Sequence, residues 1–319
     1  MLGLGAAMRD VLATVERWLA EDLRVAAATV VKTERSAPRE VGATLAVSEV
    51  GEVAGSVTGG CVEPAVYEEA QAVLRGEGPR LVTYGIADEE AFEVGLPCGG
   101  TVHIYIDAVE RDLVDEIVAA LREDRPVTLE LTVSGPKIGA QRVVAMDGRA
   151  EPSLEGDVFT LPFAPRPQMY VFGGVDHASA VARVGGFLGY RVTVCDPRAK
   201  FATPERFPDV DEVVVEWPDR FLERAPIDER TAICVLTHDH RLDVPALKVA
   251  LGSPAGYVGA MGSRRTNEER ARLLAEEGVS EEALERLHAP IGIDIGSRTP
   301  EEVAIAVAAE IVAVRRGRS

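Results

Sequence analysis

Cysteine is scarce in this chain of 319 residues: Cys61, Cys98, Cys195 and Cys234 are all there are, and no two form a CxxC pair. That excludes a disulfide-stapled scaffold and argues against a structural zinc site or an iron–sulfur protein. Reduced thiols and a cytoplasmic protein are expected. Basic residues are also in deficit, with 34 Lys+Arg against 52 Asp+Glu and a formal net charge of −18. Such a mean field repels polyanions, so neither nucleic acid nor an anionic membrane is an expected partner. A local basic pocket for one small anion stays open. No apolar run reaches the roughly 18 residues of a membrane-spanning helix. The N-terminal stretch carries charges at helical spacing and lacks the basic start and apolar block of a signal peptide. Nucleophile-elbow, Walker A and HExxH motifs are missing too.

What is present is an ordinary globular composition, 46% apolar and 27% charged, at a length suited to about two domains. The expected fold class is α/β, with an N-terminal mixed α/β domain over 1–110 and a Rossmann-like doubly wound parallel sheet over 168–319. In the first part, a helix over about 8–21 precedes a buried strand Arg24–Thr33 and a hairpin around Glu49–Gly51. A helix from Pro64 to Arg75 follows, then strands Arg80–Tyr84 and Thr101–Ile106. Residues 111–167 read as a connecting segment with one helix and two strands, ending in the proline-rich linker Leu161–Pro167. From Gln168 onward, apolar strands alternate with helices, which specifies a parallel sheet covered on both faces. Thr266-x-x-Glu269 and Thr299-Pro-Glu-Glu302 read as capping boxes at helix starts.

Three clusters carry chemistry. After the first strand of the second half stands Gly173-Gly174-Val175-Asp176, where a dinucleotide fingerprint needs G-x-G-x-x-G. Val175 takes the place of a glycine, and the Asp176 carboxylate sits where a phosphate would approach. Asp196, about 20 residues on, holds the position of a ribose-binding acid; the alternative is a strand end before Pro197. Next, Thr237-His238-Asp239-His240 and Gly259-Ala-Met-Gly262-Ser263-Arg264-Arg265 both follow strands, so they should face one crevice at the carboxyl edge of the sheet. The second of these offers a hydroxyl and two arginines at a helix start, a local anion site. In the first half, Thr58-Gly59-Gly60-Cys61 leads directly into a helix, and Cys98 lies in Gly95-Leu-Pro-Cys98-Gly99-Gly100. A thiol at a helix N-terminus favours the thiolate, whereas Cys195 and Cys234, at the ends of apolar strands, read as packing residues.

At these residues the chain resembles the XdhC/CoxI family, accessory proteins of xanthine dehydrogenase and related molybdenum hydroxylases. The likeness is carried by Gly55-Ser-Val-Thr-Gly-Gly-Cys-Val-Glu63 and Gly95-Leu-Pro-Cys-Gly-Gly100. Further matches are Arg191-Val-Thr-Val-Cys-Asp-Pro-Arg198, Phe201-Ala-Thr-Pro-Glu-Arg-Phe-Pro208, Leu236-Thr-His-Asp-His240, Gly259-Ala-Met-Gly-Ser-Arg-Arg265 and Pro290-Ile-Gly-Ile-Asp-Ile-Gly296. It spans roughly 12–107 and 168–316 and leaves 111–167 without a motif. The turn departs from the family's Gly-Ala-Gly-His.

The resemblance implies a chaperone that binds molybdenum cofactor (molybdopterin) and protects it while a cysteine desulfurase installs its terminal sulfur. The cofactor then passes to an apo molybdenum hydroxylase such as xanthine dehydrogenase, with no turnover by the chaperone alone. Cys61 and Cys98 would face the molybdenum or relay sulfur. Gly59, Gly60, Gly99, Gly100, Gly173, Asp196, His238 and Gly262 would line the cofactor, and Ser263-Arg264-Arg265 would hold the pterin phosphate. Two alternatives stand beside this reading: an NAD(P)-dependent oxidoreductase using Asp196, and a persulfide-carrying sulfur-transfer protein. A homodimer through the apolar helix Glu301–Val314 is weighed against packing of that helix on the sheet.

Overall fold

The computed structural model describes residues 6–35, 39–85, 100–147 and 151–318, with side chains from residue 11 onward. The chain forms two compact units, Leu2–Pro165 and Arg166–Ser319.

In the first unit, α1 (Ala6–Ala20) leads into β1 (Val25–Glu34), β2 (Thr44–Ser48) and β3 (Val53–Gly55). After these, α2 (Glu63–Ala72) continues into a π turn at Val73–Glu77, and β4 (Arg80–Tyr84) and β5 (Thr101–Ala108) complete a sheet of order β3-β2-β1-β5-β4. All of its pairings are antiparallel. The central strand β1 is buried over most of its length because both faces are covered. Ala26, Ala28 and Val30 pack with Val66 and Ala70 of α2. Val25 packs with Val15 and Trp18 of α1 and with Val114 of α3 (Arg111–Arg122).

Residues 111–163 are more than a connection. Besides α3 they form β6 (Val127–Thr132), β7 (Gln141–Ala145), β8 (Ser153–Glu155) and β9 (Val158–Phe163), an antiparallel sheet of order β7-β6-β9-β8. Leu131, Phe159 and Leu161 share a core with Val31 and Tyr105 of the first sheet. The proline-rich run therefore starts inside a strand, not in a linker. Pro162 is tolerated because it pairs only with Thr128, while β8 reaches no further along β9 than Thr160. On that open side the missing N–H removes no ladder bond.

The second unit opens with β10 (Gln168–Phe172), α4 (Asp176–Phe187), β11 (Arg191–Cys195), β12 (Glu212–Val214) and α5 (Pro218–Arg224). It continues with β13 (Ala232–Val235), α6 (His240–Gly252), β14 (Tyr257–Ala260), α7 (Arg264–Glu276), α8 (Glu281–Glu285), β15 (Leu287–His288) and α9 (Pro300–Arg315). The sheet order is β12-β11-β10-β13-β14-β15 and every pair is parallel. Counted from its own first strand this is the 3-2-1-4-5-6 order of a Rossmann sheet, with the switch point between β10 and β13. Tyr170, Phe172 and Ile233 pack with Phe221 of α5 and Leu247 of α6. On the other face, the backbone of Gly185 in α4 lies against Met169 and Val192, leaving no room for a side chain. The helix read at Glu301–Val314 is α9, which buries Ala304, Ala306, Val307 and Ile311.

The helix starts are set by caps. Thr299 and Glu302 form the expected capping box with Pro300 in the first turn. At α7 the cap falls three residues earlier than the sequence pattern suggests. Ser263 accepts from the Thr266 N–H, so Thr266 lies inside the helix and Thr266-x-x-Glu269 is not the box. The Ser263 hydroxyl reaches the amide first, which brings Arg264 and Arg265 into the opening turn.

Candidate functional site

The loop before α2 is built around a residue that the glycine–cysteine pattern leaves in the background. Glu63, the first residue of α2, turns its carboxylate back into the loop. Its Oε1 accepts from the Ser56 hydroxyl (2.7 Å) and from the amides of Val57 (3.2 Å), Thr58 (2.9 Å) and Gly59 (2.8 Å). Its Oε2 accepts from the Thr58 hydroxyl (2.7 Å) and the Gly60 amide (2.8 Å). Four successive amides converging on one carboxylate make an anion nest, and here the chain supplies the anion. Partial burial opposes ionisation of Glu63, but the bonds from Thr58, Ser56 and the amides outweigh it and hold the carboxyl far below the usual range.

Gly59 and Gly60 close this loop at φ +85° and +124°, in the region that favours glycine. Both are exposed, with open space where a side chain would stand. Cys61 follows, half-buried against the core of the first sheet and without a disulfide. The anion that satisfies this helix entrance is thus Glu63. Cys98 and Gly99 lie outside the described residues, and Gly100 is buried just before β5. Among the described residues, no group of three or more His, Cys, Asp or Glu could hold a metal ion.

In the second unit, the two glycines after β10 are committed within the fold. Gly173, at φ +122°, donates its N–H to the Cys195 carbonyl at 3.1 Å. Gly174 donates to Asp196 Oδ2 at 2.7 Å. A Cβ on Gly174 would lie 2.5 Å from Cβ of Phe201 and 2.9 Å from its carbonyl carbon and oxygen, so the glycine is required by the chain crossing it. Arg198 and Arg206 cap the Phe201 ring at 4.5 and 5.5 Å from its centroid.

Asp196 is fully buried. Besides Gly174 it accepts from the Arg198 amide (2.8 Å), Nε (2.9 Å) and Nη2 (2.6 Å). Burial works against its charge, but Arg198 and the Gly174 amide prevail and keep the carboxyl below its ordinary value. Asp196 therefore ties the strand end to the glycine turn. Asp176 opens α4 with its side chain 88% exposed and Arg206 at 3.6 Å.

The carboxyl ends of β10, β11, β12 and β13 nevertheless enclose a cleft of roughly 590 Å³. Its walls include Arg198, Trp217, His238, Asp239 and Arg241, with Val175 and Thr237 at the switch point. Asp239 caps α6 and accepts a forked pair from Arg241, through Nη2 at 2.6 Å and Nε at 3.0 Å. His238 is exposed, and so is Trp217, at 44% of its full residue surface.

Beneath the cleft runs a buried network that no short motif announces. Thr237 hydrogen-bonds Asp243, and Asp243 pairs with Arg270 at 2.7 Å with both side chains fully buried. Arg270 donates to the Met261 carbonyl at 3.0 Å and to Asn267, whose Nδ2 donates to the Gly262 carbonyl at 3.1 Å. The loop after β13 is thereby tied to the loop after β14. Gly262 adopts φ +151° there, and the exposed Ser263, Arg264 and Arg265 follow.

Cys195 and Cys234 are buried, and burial pushes both thiols up to about 12. They are packing residues, as their strand-end positions suggest.

An open, fully parallel sheet in this order, with a crevice at its switch point, defines the second unit as a Rossmann-class α/β fold. Joined to it is an antiparallel-sheet unit that carries a glycine–cysteine loop. The family model described as "XdhC and CoxI family" matches residues 18–85, and that described as "XdhC Rossmann domain" matches 169–311. The chain belongs to the XdhC and CoxI family.

Among curated proteins, a probable xanthine dehydrogenase subunit of Bacillus subtilis (strain 168) is 26% identical over 312 residues, spanning 91% of this chain and 92% of its own. "Molybdenum cofactor insertion chaperone PaoD" of Escherichia coli (strain K12) is 28% identical over 288 residues, 90% of this chain and 82% of its own. A crystal structure named as a xanthine dehydrogenase from Bacillus halodurans superposes with a TM-score of 0.80 over 97% of this chain and 96% of that one, at 24% identity, and so shares the fold. Among the described residues, no helix is long and apolar enough to cross a membrane.

Proposed function

We propose that this protein is a maturation chaperone: it binds molybdenum cofactor as cargo and delivers it to an apo molybdenum hydroxylase of the xanthine dehydrogenase type. The observation that carries this reading is the likeness to a molybdenum cofactor insertion chaperone over 90% of the chain, through both halves. The residues suit such cargo. The exposed guanidinium groups of Arg241, Arg264 and Arg265 are donors for a pterin phosphate, and the half-buried Cys61 is a soft donor for a thiophilic metal. Sulfuration by a cysteine desulfurase while the cofactor is held, with Cys61 and Cys98 facing the molybdenum or relaying sulfur, belongs to the same proposal.

An NAD(P)-dependent oxidoreductase is the competing reading. It needs free amides at the glycine turn and a free acid after β11, yet the Gly173 amide, the Gly174 amide and Asp196 are all engaged inside the fold. The two readings separate on stoichiometry. Anaerobic mixing with freshly released cofactor followed by desalting is expected to leave close to one molybdenum and one pterin per chain, with loss in Cys61→Ala or Cys98→Ala. Saturable NAD(P) binding without cofactor retention would favour the oxidoreductase.

A further inference from the structure

We propose that a smaller cavity at the amino-terminal edge of the Rossmann sheet is a binding site for one small carboxylate or oxyanion. The proposal goes beyond the chaperone reading and does not depend on it.

Residues just before the strands build this site. The strands of a parallel sheet all start on one edge, so Tyr190 before β11, Thr231 before β13 and Gly256 before β14 lie together, opposite the cleft at the carboxyl ends. The cavity, about 200 Å³, lies between them and the last turns of α9, which contribute Ile311, Val314 and Arg315. One wall is fixed by the backbone. The amides of Gly256 and Tyr257 both donate to the Thr231 carbonyl, at 3.1 and 3.3 Å, and a Cβ on Gly256 would run into the Glu229 carbonyl.

Arg315 gives the cavity its charge. With 52 Asp+Glu against 34 Lys+Arg, this chain has carboxylates to spare for its arginines. The buried Arg270 and the half-buried Arg166 each have one. Arg315 is also half-buried, yet among the described residues no carboxylate pairs with its guanidinium. Its Nη1 is shut off from solvent and has no hydrogen-bond partner. The Tyr190 phenol beside it brings no counter-charge, since burial pushes that group up to about 12.

The neighbouring carboxylates are turned elsewhere. Asp228 holds Arg230 through Nε at 3.0 Å and Nη2 at 2.7 Å. Glu310 accepts from the Tyr257 hydroxyl (2.6 Å) and the Gly292 amide (2.8 Å). Glu229 lines the cavity but is exposed, so solvent screens it. A half-buried cation without a counter-ion is costly to fold around, and an anion entering the cavity removes that cost. A guanidinium meets a carboxylate or an oxyanion with two parallel N–H bonds.

Volume sets the size of the ligand. Drug-sized molecules occupy pockets of roughly 300–1,000 Å³, so this cavity takes a group of a few heavy atoms and is too small for a pterin cofactor. Ile311 and Val314 add apolar surface that suits the tail of a short-chain carboxylate.

Equilibrium dialysis of the full-length protein against labelled butyrate and, separately, labelled phosphate tests the site, with ionic strength held constant by sodium chloride. At least one of the two should saturate at close to one per chain. Saturation by butyrate assigns a carboxylate ligand, and saturation by phosphate an oxyanion. Arg315→Met should weaken the binding at least about tenfold, and so should Val314→Phe, which keeps the charge and fills the cavity. Thermal unfolding gives a second readout. The bound anion should raise the wild-type midpoint by mass action, whereas Arg315→Met should gain no more from it than from chloride. Failure of both anions to saturate, or unchanged affinity in Arg315→Met or Val314→Phe, would overturn the proposal.

Discussion

Glu63 shows how much of a loop one side chain can determine. Its carboxylate receives four amides and two hydroxyls from Ser56 to Gly60, so it shapes the segment that presents Cys61. Replacement by alanine leaves those donors without their acceptor. Charge-assisted bonds of this kind imply a loss of about 2 kcal/mol or more, read as a lower urea midpoint for the first unit. Because folding holds the Glu63 carboxyl below its ordinary 4.5, the stabilisation is complete above that value and is lost as pH falls through the folded-state value. Urea midpoints of wild type and Glu63→Gln should therefore differ at pH 7 and converge in acid. A constant difference down to pH 2 would contradict this account. The thiols give a second test at this scale. Cys195 and Cys234, pushed up to about 12 by burial, should resist iodoacetamide in the native protein at pH 8, while Cys61 reacts. Mass spectrometry of the labelled chain would show the reverse if either strand cysteine were a working thiol.

Elements with strong patterns were legible in the sequence, and elements fixed by distant partners were not. Strands β10 and β11 fall on the segments expected for them because a strand buried on both faces is an uninterrupted apolar run. Strand β9 was hidden by Pro162, which only the short reach of β8 makes acceptable. The glycine turn shows the same limit. The sequence reveals that a fingerprint is broken at Val175, but not that Phe201 covers Gly174 or that Asp196 faces inward.

The Asp243–Arg270 pair between α6 and α7 is likewise invisible to motif reading, since its partners are separated along the chain and joined only in the fold. Removing one member strands a buried charge and should cost about 3–5 kcal/mol, whereas the paired change Asp243→Leu with Arg270→Met should be far milder. Thermal unfolding of the three variants checks this order. If the double variant is as unstable as the single ones, the pair holds the fold itself and does more than fix the loops at Thr237 and Gly262.

At the scale of the molecule, each unit has its own core, the first around β1 and the second around β10. A fragment comprising residues 166–319 should fold alone and unfold cooperatively, because its parallel sheet is covered on both faces by its own helices. Circular dichroism and a single urea transition would establish this, and an aggregated or molten fragment would contradict it. The function proposed for the whole chain draws on residues of both units, Cys61 in the first and the exposed cationic loops of the second. Its most direct test is the count of molybdenum and pterin retained per full-length chain after anaerobic loading and desalting, with Cys61→Ala, Cys98→Ala and Arg264→Ala alongside. The account predicts close to one of each for wild type and a clear loss when a thiol is removed. Wild type that emerges from the column without molybdenum or pterin would contradict it.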